Sequence, residues 1–453
     1  MKSKIFANFL NISSWKLTPY QILTLGFAGL ILLGAFLLML PISNVKGEVM
    51  PFIDALFTAT SAVCVTGLIV VDTGTYFSLF GQLVIIGLIQ SGGFGIMTMA
   101  TLMAVLMRKR LLLKNRLIMQ EALNQLTVEG IVRLTLYIIK LSLLIEFIGG
   151  TILAVRFYQD FGMQGIYFGY WHAVSAFCNA GFDIVGTANG NLFRYVDDIV
   201  INLIITGLII LGGLGFTVIA DVISNKQFKK VSLHSKIVLS TTAFLIAFGT
   251  LGIFLLESGN SPAFAELSLQ GKVLASYFQA VAARTAGFNT VFVGDLTEAT
   301  LFFIIILMFI GASPGSTGGG IKTTTFAIIV ASIWGLIRGR NETILFYRHI
   351  NPTIVYKAFA IFFIAATLVV TITMLICAVE PVAFIKILFE VVSAFGTVGS
   401  STGITGDLTS YSKAWLIITM FAGRVGPVTF ALALAMRNKK TAIQYPEGKV
   451  TIG

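Results

Sequence analysis

Uncharged apolar blocks dominate the chain, at 17–45, 73–107, 199–220, 237–256, 299–321 and 358–379, and two more, 134–157 and 414–436, carry internal charge. Each meets the roughly 20 residues that a membrane-crossing helix needs. Together they predict eight crossing helices. Between the members of each pair lies a shorter apolar stretch, about 12 residues in the first case, a length that suits a re-entrant helix rather than a span. The pattern predicts one order four times: outer helix, short helix, turn, inner helix. The first outer helix is expected over 18–41, and the short helices end at Val63 or cover 168–177, 271–283 and 382–395. Inner helices are expected over 79–105, 198–221, 298–335 and 413–436.

The turns are versions of one sentence. Ser61–Gly67 reads S-A-V-C-V-T-G, Ser175–Gly181 S-A-F-C-N-A-G, Val281–Gly287 V-A-A-R-T-A-G and Ser393–Gly399 S-A-F-G-T-V-G. The closing glycines lie 114, 106 and 112 residues apart, and an aromatic precedes each opening residue by four: Phe57, Trp171, Tyr277, Phe389. Such a period means one structural unit used four times. Irregular backbone at membrane depth is tolerated only where protein covers it or where it lines a watery cavity. A glycine can take positive φ and aim consecutive carbonyls at an axis. Backbone oxygens so aimed can replace the hydration shell of a cation, and the partly negative C-terminal end of each short helix favours it. Any one glycine could be a mere tight turn or packing contact, but four copies in register argue for a ring. Its expected members are Val65, Thr66 and Gly67; Asn179, Ala180 and Gly181; Thr285, Ala286 and Gly287; Thr397, Val398 and Gly399.

Composition agrees. Of 453 residues 56% are hydrophobic and 11% charged, against about 25% charged in soluble domains. The net charge of +11 is explained by sidedness. If both termini are cytoplasmic, the inner segments 1–19, 106–133, 224–236, 338–357 and 437–453 hold 21 of the 31 Lys and Arg, the positive-inside bias. No nucleic-acid partner is needed. Acidic residues such as Asp54, Asp72, Asp183 and Asp407 fall outside, where a negative vestibule concentrates cations. Cys64, Cys178 and Cys377 give no disulfide framework, and the three histidines give no metal spacing. The first apolar block lacks a cleavage site and is expected to be retained.

At V-T-G-L (65–68), F-C-N-A-G-F (177–182), R-T-A-G-F-N (284–289) and S-A-F-G-T-V-G (393–399) the chain resembles the Trk/Ktr/HKT superfamily of potassium transporters, most closely the membrane subunit of bacterial Ktr systems. Supporting segments are Q-E-A-L-N-Q (120–125), S-L-H-S-K (232–236), 311–320 and G-R-V-G-P (423–427). The resemblance covers nearly the whole chain. It implies an all-α integral membrane protein with four tandem helix–pore helix–helix repeats around a pseudo-fourfold pore, filter glycines at Gly67, Gly181, Gly287 and Gly399, and potassium as the transported ion. Gly67 stands where sodium-preferring plant relatives have serine; Ser400 and Ser401 depart from the hydrophobic residue usual in close relatives. The resemblance further implies a homodimer on a cytoplasmic ring of nucleotide-binding regulatory subunits, with nucleotides held by the partner and no cofactor by this chain. Sodium dependence stays open. The expected units are a cytoplasmic N-terminus (1–16), repeats at 17–105, 129–224, 236–335 and 357–436, and a cytoplasmic tail (437–453).

Two interruptions mark the inner helices. Gly311, Ala312, Ser313, Pro314, Gly315, Ser316, Thr317, Gly318, Gly319 and Gly320 precede Ile321 and Lys322. A phosphate loop would need lysine directly after its second glycine; here the segment must instead break the helix. It is expected as an intramembrane gate beneath the filter, with Ser313, Ser316 and Thr317 facing the pore. Arg424 lies inside an apolar stretch, where a charge is costly and usually faces a cavity. It is expected beside the gate as an electrostatic barrier, the alternative being an ion pair such as one with Asp221. Lys322 either joins it or pairs elsewhere. His172 and Glu390, which share a repeat column with Thr58 and Phe278, are expected to anchor their short helices, and Arg284 to brace the third turn by hydrogen bonds. The G-G-F-G (92–95), G-G-L-G (212–215) and G-R-V-G (423–426) segments read as close helix packing. Intramembrane acids and bases are too scattered for an enzyme acting on lipid-linked substrates, and fourfold repetition argues against an organic-solute carrier, whose folds repeat twofold. No catalytic residue is expected.

Overall fold

The computed structural model describes residues 19–95, 98, 131–186, 191–225, 227–259, 262–340 and 342–426. The expected cytoplasmic ends 1–16 and 437–453, the segment 120–125, and parts 99–105 and 427–436 of the first and fourth inner helices lie outside the described residues.

The first unit contains α1 (Pro19–Met39), α2 (Phe52–Val63) and α3 (Leu79–Phe94). The second contains α4 (Ile131–Phe161), α5 (Met163–Phe177), α6 (Ile199–Leu214) and α7 (Phe216–Ser224). The third contains α8 (Leu233–Glu257), α9 (Leu269–Ala282), α10 (Glu298–Phe309) and α11 (Thr323–Ile337). After a small hairpin at 344–349, the fourth contains α12 (Pro352–Cys377), α13 (Phe384–Gly396) and α14 (Ser410–Val425). The helices that return from the turns all start the same way. Ser78, Asp198, Thr297 and Thr409 cap α3, α6, α10 and α14 by accepting a backbone N–H from three residues on, which satisfies one of the orphan donors of a helix start.

Two packing relations organise these elements. Each long helix lies along the short helix that follows it: α1 on α2, α4 on α5, α8 on α9, α12 on α13. Each returning helix also packs on the short helix of the next unit: α3 on α5, α6 on α9, α10 on α13, and α14 on α2. The last contact joins the two ends of the described chain, where Lys413 Nζ lies 2.9 Å from Asp54 Oδ1. The short helices are therefore wrapped on all sides, and most of α2 and α13 is buried. The outer faces stay apolar, with Leu32, Phe36, Phe248, Leu255, Phe363 and Met374 exposed, as a surface in contact with lipid tails requires.

Among the described residues, four helices are long and apolar enough to cross a membrane: Gln21–Met39, Thr135–Phe161, Leu233–Glu257 and Pro352–Cys377. The expected inner helices are cut short, and glycines explain why. α3, α6 and α14 end at Gly95, Gly215 and Gly426, with φ of 79°, 93° and 95°, a region that residues with a Cβ rarely enter. The second inner helix, expected to run unbroken over 198–221, is thus corrected: α6 and α7 meet at Gly215 with a bend of 96°. In the third unit the interruption is longer, from Ile310 to Lys322, as the glycine-rich segment predicts.

Candidate ion-coordination site

Each short helix stops at a turn of the same shape. Val65, Asn179, Thr285 and Thr397 have φ of 50°, 58°, 68° and 50°, and Gly67, Gly181, Gly287 and Gly399 have φ of 93°, 69°, 69° and 93°. Three of the four non-glycine residues are β-branched, for which left-handed backbone is a genuine outlier. Holding four such residues stores on the order of 1–3 kcal/mol each. The surrounding helices must impose it. The backbone N–H groups turn back to the short helix: Thr66 N donates to Ser61 O, Ala180 N to Ser175 O and Val398 N to Ser393 O, at 2.7, 2.8 and 2.8 Å. In the first and fourth turns the opening serine also accepts from the glycine, Ser61 Oγ from Gly67 N and Ser393 Oγ from Gly399 N, both at 3.0 Å.

With the N–H groups facing outward, the four turns face one another. A Cβ placed on Gly67 would collide with Ala180 O, one on Gly181 with Ala286 O, one on Gly287 with Val398 O, and one on Gly399 with Thr66 O, every approach under 3.0 Å. The contacts run from one unit to the next and return to the first. The glycines open on a cavity of about 390 Å³, which Asp72, Asp183, Asn289, Ser401 and Thr405 help to line.

The glycine-rich loop lies directly against the inner side of these turns. Thr317 Oγ1 donates to Asn179 Oδ1 at 2.8 Å, and Gly319 N donates to Thr397 Oγ1 at 2.9 Å. A Cβ on Gly318 would strike Thr285 Oγ1. Three of the four strained residues therefore touch the loop. The loop is held from the sides as well: Ser313 N and Thr317 N donate to Gly213 O and Gly212 O, Phe216 N donates to Gly315 O, and Gly320 N donates to Gly423 O. Gly311 N closes it on Ile321 O at 2.8 Å. Ser313 Oγ pairs with Thr323 Oγ1 at the start of α11 and Ser316 Oγ donates to Ser313 O, rather than to the turns. Pro314 sits at the bend, its carbonyl beside Gly215.

Lys322 and Arg424 both bind this loop through carbonyls. Lys322 Nζ donates to Gly318 O at 2.7 Å. The Arg424 guanidinium donates to Thr317 O and to Gly92 O, with Gly93 O at 3.3 Å. Arg424 thus stitches the loop to α3 from its own place on α14. No ion pair with Asp221 forms, because Asp221 accepts from Asn225, Ser232 and Ser235 instead.

The turns, the loop and the helix order together describe a known architecture. Residues 16–444 match the TrkH cation transport protein family. The chain belongs to that family. It is 45% identical to the Ktr system potassium uptake protein B of Bacillus subtilis (strain 168), over 97% of each chain. It is 38% identical to the potassium/sodium uptake protein NtpJ of Enterococcus hirae, over 97% of this chain and 98% of that protein. Its fold is that of the potassium transporter TrkH from Vibrio parahaemolyticus, with a TM-score of 0.71 at 20% identity across 93% of this chain and 86% of that one. This is a multi-pass membrane transport family and not an enzyme family.

For a TrkH-family chain, several features escape a reading of composition. The opening serines, present in three of the four copies, give no sign in sequence that two of them accept from the closing glycine. The glycine segments read as packing do two jobs: Gly92, Gly212 and Gly423 rest on Val63 O, Phe177 O and Phe395 O, at the ends of the short helices, and the glycine three residues later ends the helix. Arg284 is buried, yet its Nε has no partner among the described residues, so the hydrogen-bonded brace expected there is not what its Nε provides.

Proposed function

We propose that this chain carries potassium inward across the bacterial cell membrane, through a pore whose narrowest part is the ring of turns at 65–67, 179–181, 285–287 and 397–399. The observation that carries the reading is the closed succession of glycine–carbonyl contacts from Gly67 around to Gly399. Four carbonyls meeting about one axis replace water around a dehydrated cation at little reorganisation cost, since strained backbone already holds them. The potassium uptake activity named for the Bacillus and Enterococcus relatives supports the choice of ion, and the second name makes a link to sodium worth testing. Four pore repeats with eight crossings, of which the second inner one is bent and the third interrupted among the described residues, account for the recurring helix order.

In this reading the segment from Gly311 to Lys322 is the gate, in its closed position. Gly311, Ser313, Pro314, Gly315, Ser316, Thr317, Gly318 and Gly319 fill the space under the turns, and Lys322 and Arg424 add positive charge on the ion's inward path. Opening requires the loop to leave Asn179 and Thr397 and Arg424 to release Thr317. A homodimer with cytoplasmic termini, controlled by a cytoplasmic nucleotide-binding ring, fits the "system" in the relatives' name and the basic inner loops. The test is flux into liposomes with potassium and sodium varied independently. Potassium flux that exceeds sodium flux supports the proposal; equal flux of both, or none with the partner subunit added, contradicts it.

A further inference from the structure

The four short helices share a column that the conduction reading leaves unused: Thr58, His172, Phe278 and Glu390, each three residues before its opening residue and each buried. Two of them reach forward past the glycine and two do not. His172 Nδ1 donates to Phe168 O at 2.7 Å within α5, which fixes the ring, and Nε2 lies 2.9 Å from Asp183 Oδ1. Asp183 in turn accepts from Val185 N at 2.7 Å and from Leu192 N at 3.1 Å. One buried side chain thereby holds the segment that leaves the second turn. Glu390 does the same in the fourth unit. Its Oε1 accepts from Ser401 Oγ at 2.5 Å and Thr402 N at 3.0 Å, and its Oε2 accepts from Thr405 Oγ1 at 2.9 Å. By contrast Thr58 bonds only back to Asp54 O on its own helix, and Phe278 offers no polar atom.

The units follow one another around the ring as 67, 181, 287, 399, so the second and fourth stand across from each other. Asp183, Ser401 and Thr405 line the outer cavity just above their glycines. We propose that His172 and Glu390 are positioning residues for ion selectivity: acting through Asp183 and through Ser401, Thr402 and Thr405, they fix the two facing exit segments and hence the span between opposite carbonyls. Discrimination between potassium and the smaller sodium depends on how firmly that span resists contraction. A hydrogen bond to a charged group is strong enough to matter on this scale. The inference rests on the conduction reading above.

The test compares potassium and sodium flux through the purified full-length protein in liposomes, with its partner subunit present. His172→Ala and Glu390→Ala should each lower the potassium-to-sodium ratio by about tenfold, the equivalent of one such bond. His172→Gln places an N–H near the position of Nε2 and should restore most of the ratio. Phe278→Leu, in the same column but without a forward contact, should lower thermal stability and leave the ratio unchanged. If either alanine variant does not fold, Ser401→Ala with Thr405→Ala releases the fourth segment without disturbing the short helix, and the same fall in ratio is expected. A ratio equal to that of the unaltered protein in folded His172→Ala, Glu390→Ala or the double variant overturns the proposal. If the unaltered protein itself shows no preference for potassium, the conduction reading fails first, and the two failures are distinguishable.

Discussion

Single atoms decide the properties of the ring. A methyl on Gly67 meets Ala180 O and one on Gly399 meets Thr66 O, both at positive φ, so an alanine suffers overlap and strain together. The strain alone is about 1–3 kcal/mol, and 1.4 kcal/mol is a factor of ten. Gly67→Ala and Gly399→Ala should therefore each cut potassium flux in liposomes more than tenfold. Gly29→Ala, where no atom lies within 4 Å, should leave it unchanged. Arg424 works by a different device. It spends its donors on Thr317 O and Gly92 O, bonds worth on the order of 1.5–3 kcal/mol each when the donor is charged. Arg424→Ala should raise flux several-fold with the fold retained if the proposed gate is right; a variant that conducts no better while expressing normally would remove Arg424 from that proposal. The closing glycines stand out in sequence because they repeat in all four copies, at positions 67, 181, 287 and 399. The left-handed Val65, Thr285 and Thr397 do not, since β-branched residues there oppose local preference and obey the surrounding helices instead.

At the scale of elements, the interruptions matter more than the spans. Gly215 turns the second inner helix through 96°, and the bend brings Phe216 N to Gly315 O on the loop. An alanine there must abandon φ of 93° or carry roughly 1–3 kcal/mol of strain. Gly215→Ala should lower the thermal midpoint and, on the proposed gating role of the loop, add leak flux. Hydropathy alone could not show the bend, because the residues immediately on both sides of it, Leu214 and Phe216, are apolar. The helix starts offer a second handle. Thr409 N and Oγ1 donate to Glu380 Oε1 at 2.9 and 2.6 Å, and Ser412 Oγ joins at 2.5 Å. Burial works against the Glu380 charge, but the hydrogen bonds from Ser412 and Thr409 outweigh it and hold its carboxyl below the ordinary carboxylate value. A depressed folded-state value means that the stabilisation is complete above the unfolded-state value and is lost as pH falls through the folded one. Glu380→Gln should thus unfold at lower temperature than the parent near neutral pH, and the gap should close in acid. A gap independent of pH would contradict the assignment.

For the whole molecule, the decisive fact is that the contacts return to their start. α14 packs on α2 just as α3 packs on α5, and Gly399 faces Thr66 just as Gly67 faces Ala180. Repetition in sequence foretold four similar units and their turns. It also led to the expectation of a ring, but it could not name the contacts between residues more than 300 positions apart, such as Lys413 with Asp54. Nor could it reveal that of the loop's hydroxyls Ser313 pairs with Thr323 and Ser316 with Ser313 O, while Thr317 reaches a turn. Rubidium, an X-ray-visible substitute for potassium, tests the closure directly when bound to the purified protein and located by anomalous diffraction. The account predicts rubidium density on the axis enclosed by Thr66, Ala180, Ala286 and Val398, on the outer side of the glycine-rich loop. Density confined to other sites, with the space between those four carbonyls empty at saturating rubidium, would contradict it.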